Sequence, residues 1–244
     1  MRKIEIYYPE ARFGNFTDID GTITFFIRVN GLIKPSFTVL DVGCGKSTIN
    51  KDTIPIRKYL RTIKGKVTKV IGIDIDEGAE INPFIDEFRI IQGRSWPIDD
   101  ESIDLIVSDS VLEHIEDPDE FFSEACRVLK NNGYFCLRTS NRWNYIALIA
   151  SLIPNKYHAQ ILKVAQDGRQ EEDVFPTLFR CNSIRKIQKM MNKYGFDHVV
   201  YGYEAAPSYF EFSKLAYSFG VLYQKIAPGY FKTAIFAFGK KLTS

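Results

Sequence analysis

Short apolar runs alternate with helix-like patterns along most of the chain. The runs are continuously apolar, as is typical of strands buried on both faces, and apolar residues recur every three or four positions between them. Strands are predicted at 39–42, 67–73, 88–91, 103–108, 133–139, 199–203 and 233–238. Because strands alternate with helices, we expect an α/β fold with a mostly parallel sheet covered by helices on both faces.

The clearest helix is predicted over 118–130. Asp117 can cap its first turn, Pro118 suits the first helical position, and Gly133 permits the turn into the next strand. Further helices are predicted over 22–32, from residue 55 onward, and over 183–194.

The length of 244 residues, of which 45% are hydrophobic and 25% charged, suits a single domain. Within 1–244 we expect a helical lead-in over 1–36, a core over 37–141, and two insertions over 142–180 and 204–228. Insertions late in a parallel sheet usually lie over the carboxyl ends of its strands, so we expect the substrate there. The formal charge of +2 gives no global basic field and argues against a nucleic-acid partner.

The cysteines indicate an intracellular protein. All four are widely separated and only three histidines accompany them, so neither a zinc cluster nor a disulfide framework is expected. The first residues contain tyrosines, acids and a proline where a signal peptide needs an apolar core, and no run is long enough to span a membrane. We therefore expect a cytoplasmic location, and the sequence leaves the oligomeric state open.

A glycine turn follows the first strand. In VLDVGCGKS, residues 39–47, Gly43 and Gly45 let the backbone turn sharply and approach a ligand. The second strand ends in Asp74, an acid suited to accept hydrogen bonds from both hydroxyls of a ribose. The dinucleotide fingerprint needs a third glycine where this chain has Thr48, and Lys46 is the only basic residue nearby. A nucleoside ligand without phosphates fits this pattern better than a dinucleotide.

These motifs resemble those of class I S-adenosylmethionine-dependent methyltransferases, in the subgroup that modifies small molecules. VLDVGCG is similar to the family's first motif, GIDID to its second, and 102–141 to the block around the fourth and fifth strands. The resemblance implies a Rossmann-like sheet of about seven strands, S-adenosylmethionine as cofactor and S-adenosylhomocysteine as product. It assigns cofactor binding to Asp41, Gly43, Cys44, Gly45, Asp74, Ile75, Gly93, Arg94 and Ser108.

The third-strand motif departs from the family. Many relatives have Gly-Asp there, and the aspartate accepts from the adenine amino group, whereas this chain has Gly93-Arg94-Ser95. An arginine cannot accept that hydrogen bond. A backbone carbonyl, a water molecule or Ser95 must take its place.

Methyl transfer from a sulfonium depends mainly on alignment of the acceptor, and a general base is needed only when the acceptor is a hydroxyl. The loop after the fourth strand offers Asp109, Glu113 and His114, of which His114 has the pKa best suited to a base. The alternative is that Glu113 and His114 brace the loop. Ser110 stands where some relatives have an acid that ligates a metal, so no metal is expected.

The predicted function is methyl transfer to an oxygen of a small molecule or glycan precursor. Residues 172–183 resemble an insertion of methyltransferases of cell-surface polysaccharide pathways, which adds Tyr157, His158 and Arg180 as candidate substrate contacts. A quinone or lipid ring is the alternative acceptor, because 204–228 is rich in aromatic residues. The segment 143–153 could touch a membrane with Trp143 and Tyr145 as anchors, or only pack on the neighbouring sheet or insertion.

Two other classes of protein stay open at this point. The first is a cofactor-binding protein without catalytic activity. The second is a haloacid-dehalogenase-like phosphatase, since Asp18-Ile19-Asp20-Gly21-Thr22 copies its nucleophile signature. No buried strand precedes this signature, and a capped turn that leads into the helix at 22–32 explains it equally well.

Overall fold

A computed structural model describes residues 2–144, 176–207 and 210–243 of the chain. Its strands form a single sheet and comprise β1 (Thr38–Val42), β2 (Lys69–Asp74), β3 (Glu87–Ile90), β4 (Ile103–Asp109), β5 (Leu129–Ser140), β6 (Phe196–Tyr203) and β7 (Ala234–Lys241). The strand order is β3-β2-β1-β4-β5-β7-β6. Strand β7 runs antiparallel to both neighbours, and the pairs among β1 to β5 are parallel. The expected seven-stranded, mostly parallel Rossmann-like sheet is confirmed.

The helices in the described residues are α1 (Lys3–Tyr7), α2 (Gly21–Leu32), α3 (Pro55–Arg61), α4 (Pro118–Val128), α5 (Ile184–Lys193) and α6 (Lys214–Ile226). Short 3-10 turns lie at Pro9–Arg12, Ile49–Lys51, Glu77–Ile81, Leu112–His114 and Gly229–Phe231. Where β2 crosses to β3, only the 3-10 turn at Glu77–Ile81 is present. This crossover is therefore short, and it passes directly beside the glycine turn.

The predicted elements are present, and their ends shift for local reasons. Helix α4 begins at Pro118 with Asp117 as its cap, as expected, but ends at Val128 because Leu129 already pairs with Ile103 in the sheet. Strand β6 starts at Phe196, earlier than predicted, directly after Gly195 reverses the chain with a φ of 71°. Asp20 caps α2 by accepting from the amide of Ile23 (2.8 Å). The phosphatase-like signature is thus part of a helix cap.

The core lies on both faces of the sheet. On one face, α4 packs Phe121 and Phe122 against β5, and α5 packs Ile187 against β6 and β7. On the other face, α2 packs Phe25 and Val29 against β1 and β7. In this arrangement the carboxyl ends of the parallel strands remain available for a ligand.

The insertion predicted over 204–228 contains α6, which packs on α1 through Tyr217 and Val221. Most of the other insertion, 142–180, lies outside the described residues, and so do its apolar segment from Tyr145 onward and the candidate contacts Tyr157 and His158. Arg180 is described and exposed, and its carbonyl accepts from Lys186 (2.8 Å). Across the described ranges, no helix has the length and apolar character that crossing a bilayer requires.

Candidate functional site

The glycine turn after β1 is tied to the end of β2. The amide of Gly43 donates to the carbonyl of Ile73 (2.8 Å), and Gly43 adopts a φ of 69°, which favours glycine. A Cβ on Gly43 would lie 2.4 Å from a methyl group of Val111. Gly45, with a φ of 50°, has no neighbouring heavy atom within 4 Å of such a Cβ among the described residues. Gly43 is thus required for packing, whereas Gly45 faces open space that a ligand can enter.

Asp74 and Asn82 hold this turn in place. One carboxylate oxygen of Asp74 accepts from the amide of Gly45 (2.9 Å), and the other accepts from the amide of Asp76 (3.0 Å). The amide nitrogen of Asn82 donates to the carbonyls of Cys44 (3.0 Å) and Gly45 (3.1 Å). Sequence reasoning missed Asn82. The available signal was its Asn-Pro dipeptide, which marks a turn but does not show what the side chain contacts.

Cys44 fills space beneath the turn. Its side chain is buried, and a Cβ on Gly72 of β2 would lie 2.7 Å from its sulfur. Burial, and then the nearby charges of Asp41 and Asp74, raise the pKa of the thiol far above its ordinary value. Cys44 is therefore a neutral apolar filler, and its contribution to the site is its backbone.

Three carboxylates lie at the adjacent ends of β1, β2 and β4. Burial, reinforced by the charges of Asp109 and Asp74, raises the pKa of Asp41 from 3.8 to about 7, although Arg61 partly opposes this. Asp109 is paired with Arg138 through two contacts of 2.6 Å. No hydrogen-bond donor reaches the Asp41 carboxylate from the described residues. A positively charged ligand at this position would relieve the crowding of negative charge.

Two further predicted residues flank this group. Ile75 follows Asp74 and is 64% exposed, so it presents an apolar surface beside the carboxyl end of β2. Ser108 of β4 is completely buried, and its hydroxyl has no hydrogen-bond partner among the described residues. Asp41, Gly43, Gly45, Asp74, Ile75 and Ser108 are thus brought together around the ends of β1, β2 and β4.

The Arg94 side chain makes its contact with α4. It is exposed, and its Nε lies 3.8 Å from Glu120 in the first turn of α4. Gly93 precedes it with a φ of 83° and open space around its Cα. The loop is fixed to α4 by Glu124, which accepts from the amide of Trp96 (2.6 Å). The backbone groups of this loop and the side chain of Ser95 therefore remain the candidate partners of adenine.

Glu113 and His114 connect the loop after β4 to the segment before α5. The buried carboxylate of Glu113 accepts from the hydroxyls of Thr139 (2.6 Å) and Ser140 (3.2 Å). His114 donates through Nδ1 to the carbonyl of Pro176 (3.0 Å). Because a carbonyl only accepts, Nδ1 carries the proton, and in the neutral ring Nε2 is the basic nitrogen. This geometry accommodates both the base and the brace interpretations of His114.

A cavity of about 450 Å³ lies where α2 meets β5 and β7. Its walls include the guanidinium groups of Arg57 and Arg138 and the side chains of Thr17, Thr22 and Tyr203. Arg138 belongs to β5 and also donates to Thr22 (2.8 Å), while it pairs with Asp109 at the end of β4. Arg138 therefore links the cavity to the carboxylate group.

The sequence of this chain is similar to those of known proteins. A family model described as a methyltransferase domain matches residues 33–195. A Mycolicibacterium smegmatis protein named as a probable S-adenosylmethionine-dependent methyltransferase is 33% identical over 109 residues, which cover 43% of this chain and 38% of that protein. The ubiquinone biosynthesis O-methyltransferase of Bartonella tribocorum is 26% identical over 121 residues, or 47% of each protein. The chain thus matches less than half the length of these curated relatives.

A solved structure shares the fold. The geranyl diphosphate C-methyltransferase of Streptomyces coelicolor A3(2), crystallised with S-adenosyl-L-homocysteine, superposes with a TM-score of 0.57 at 15% sequence identity. The superposition covers 90% of this chain and 75% of that one.

Proposed function

Because the chain belongs to the class I S-adenosylmethionine-dependent methyltransferases, we propose that it methylates an oxygen of a small molecule or glycan precursor. The family model spans 33–195, which includes the glycine turn, the carboxylate group and the loop with His114. The donor-rich cavity beside β5 is the observation that carries the choice of acceptor.

The residues around β1, β2 and β4 fit the cofactor. Among the described residues, no donor reaches the Asp41 carboxylate and no partner reaches the buried Ser108 hydroxyl, so a ligand with a positive charge and a hydrogen-bonding group suits both. Exposed Ile75 suits an apolar ring. We assign the ribose hydroxyls to Asp74, whose oxygens keep lone pairs beyond those used by Gly45 and Asp76. The bound cofactor supplies an activated methyl group on a sulfonium.

The cavity walls favour an acceptor that is rich in oxygen. The side chains of Arg57, Arg138, Thr17, Thr22 and Tyr203 offer donors, which hydroxyl and carbonyl oxygens accept. The carboxylates of Asp20 and Glu211 also line the cavity. A volume of about 450 Å³ is within the range of small-molecule sites. Arg57 is itself held by Asp52 (2.7 Å) and Asp20 (3.2 Å), so its orientation is set before an acceptor binds.

An aromatic ring is the second candidate acceptor, and a specific observation favours it. Tyr203 stacks on Phe236 with ring centroids 4.6 Å apart and planes at 8°, and both rings line the cavity together with Phe16. Flat rings that are already stacked can extend the stack onto a planar ligand at little entropic cost. A phenol or hydroquinone would satisfy both the aromatic and the donor-rich walls.

The acceptor can be tested with a cofactor that carries an isotopically labelled methyl group. We would incubate the enzyme with catechol, hydroquinone and a nucleoside-diphosphate hexose, and read the chemical shift of the transferred carbon. A methoxy resonance is the expected result, whereas an N-methyl or C-methyl resonance would refute oxygen as the acceptor. Thr22→Val should raise KM for the acceptor and leave the affinity for S-adenosylhomocysteine unchanged by calorimetry. Ile27→Val, at an exposed position of the same helix, serves as the matched control.

A further inference from the structure

Helix α6 is apolar on two sides, and the described residues cover only one of them. Tyr217 and Val221 are buried against α1, and a Cβ on Gly220 would lie 2.6 Å from Pro207. The opposite side carries Leu215, Phe219, Leu222 and Ile226, which are 83%, 59%, 53% and 68% exposed. Their spacing of four, three and four residues places them in one stripe along the helix. We call this stripe the open face of α6.

The apolar surface continues beyond the helix. Phe212 precedes it, and Tyr230 and Phe231 follow it in a 3-10 turn, all of them exposed. The hydroxyl of Tyr223 on α6 donates to the carbonyl of Phe231 (2.6 Å), which holds this turn against the end of the helix. Exposed apolar groups clustered on one helix and on the segments attached to its ends are typical of an interaction surface.

The charged residues within 212–233 are all basic, although the exposed Glu211 directly precedes this segment. Residues 212–233 contain three lysines, Lys214, Lys225 and Lys232, and no aspartate or glutamate. Lys214 and Lys225 are exposed at the two ends of α6, next to the open face. A second copy of the chain would bring lysines against lysines at such an interface, whereas an anionic lipid surface is complementary to them. Tyr230 and Phe231 add aromatic rings, and tyrosine in particular favours the membrane interface.

We propose that the open face of α6 docks in the plane of an anionic lipid bilayer. The helix would lie in the interface, with its apolar stripe among the acyl chains and Lys214 and Lys225 at the headgroups. The residue before Phe212, Glu211, lines the cavity beside β5. The docking surface therefore adjoins that cavity, and docking does not depend on which acceptor the enzyme uses.

Vesicle co-sedimentation of the full chain tests the proposal. We would compare vesicles of phosphatidylcholine alone with vesicles that also contain phosphatidylglycerol. Each lysine near an anionic surface is expected to change the partition coefficient about fivefold, so two exposed lysines predict roughly 25-fold stronger binding to the anionic vesicles. High salt should remove this preference. Equal partition into both kinds of vesicle, or none into either, would overturn the proposal.

Matched variants distinguish docking through the open face of α6 from nonspecific adsorption to vesicles. Phe219→Ser with Leu222→Ser should lower partition roughly tenfold or more, because less apolar surface enters the interface. Ile27→Ser changes a side chain on α2 that is 55% exposed, close to the 53% of Leu222, and should leave partition unchanged. Circular dichroism and melting curves of all variants show whether they fold. The contrary outcome is a dimer in light scattering that Leu222→Ser converts to a monomer, together with no binding to vesicles. That outcome would assign the open face of α6 to self-association.

Discussion

Replacement of Asp41 by asparagine is expected to stabilise the protein without cofactor. The folded state raises the pKa of this carboxyl to about 7, above its ordinary value of 3.8, so the folded protein binds the proton more tightly than the unfolded chain does. Ionisation of Asp41 therefore lowers the free energy of unfolding. This penalty is absent below about pH 4, where both states are protonated, grows as the pH rises, and is complete above about pH 7. An asparagine does not ionise and avoids the penalty.

The size of this effect follows from the two pKa values. The gap between 3.8 and about 7 corresponds to a ceiling of about 4 kcal/mol, at about 1.4 kcal/mol per pH unit. Asp41 keeps some contact with solvent, so part of this penalty is screened, and we expect about 2 kcal/mol. For a chain of this size that is roughly 4–8 °C in melting temperature.

The effect is measured by urea unfolding of the wild type and of Asp41→Asn at about pH 5 and pH 8. The variant's gain in free energy of unfolding should be larger at pH 8. Asp52→Asn provides a control of opposite sign. Burial alone would raise the pKa of Asp52, but hydrogen bonds from Arg57 and the amide of Ile54 outweigh it and hold that pKa below its ordinary value. This control should be destabilised equally at both pH values. An Asp41→Asn variant that is less stable than the wild type at pH 8, or whose advantage does not depend on pH, would refute the reasoning.

Three further predictions concern the turn and the loop after β4. Gly43→Ala should lower the free energy of unfolding by about 2 kcal/mol or more, because the added Cβ would lie 2.4 Å from Val111. Gly45→Ala should lower it by about 1 kcal/mol through backbone strain and should also weaken binding of S-adenosylhomocysteine. Melting curves with and without that ligand distinguish the two. Asn82→Ala should lower the free energy of unfolding in urea by about 1–3 kcal/mol, because two loop carbonyls lose their donor. Unchanged stability would show that water replaces the donor. His114→Asn keeps a donor for the Pro176 carbonyl but has no basic nitrogen, so kcat should fall by about 10²-fold or more at unchanged melting temperature. Wild-type kcat in this variant, together with a lowered melting temperature for His114→Ala, would identify His114 as a brace.

The sheet and the glycine turn were predictable because their signals are local. A buried run followed by Gly-x-Gly indicates a strand and a turn with positive φ, and Gly43 and Gly45 both adopt such values. Asp74 was predictable for the same reason, as it directly ends β2. The cap of α4 at Asp117 also depends only on neighbouring residues.

Contacts between distant residues were not predictable. The Asn-Pro dipeptide indicates the local turn at Asn82, in which the amide of Phe84 donates to its side chain (2.9 Å). The bonds of Asn82 to the glycine turn depend on how closely the short crossover after β2 approaches β1. Arg94 shows the same limit, because its residue type excludes an adenine acceptor but its contact with Glu120 is made with another element. Likewise, the pairing of Asp109 with Arg138 depends on the register of β4 and β5.

The proposed cofactor site lowers the stability of the protein without ligand. Asp41 is a half-buried carboxylate without a donor among the described residues, and Ser108 is a buried hydroxyl that also has no partner there. Both raise the free energy of the folded protein and would be relieved by a ligand that provides positive charge and hydrogen-bonding groups. Because binding then removes these penalties, the cofactor should bind more tightly above about pH 7, where Asp41 is ionised. Asp41→Asn should therefore flatten the dependence of cofactor affinity on pH while it stabilises the free protein, a trade-off that a purely structural acid would not produce.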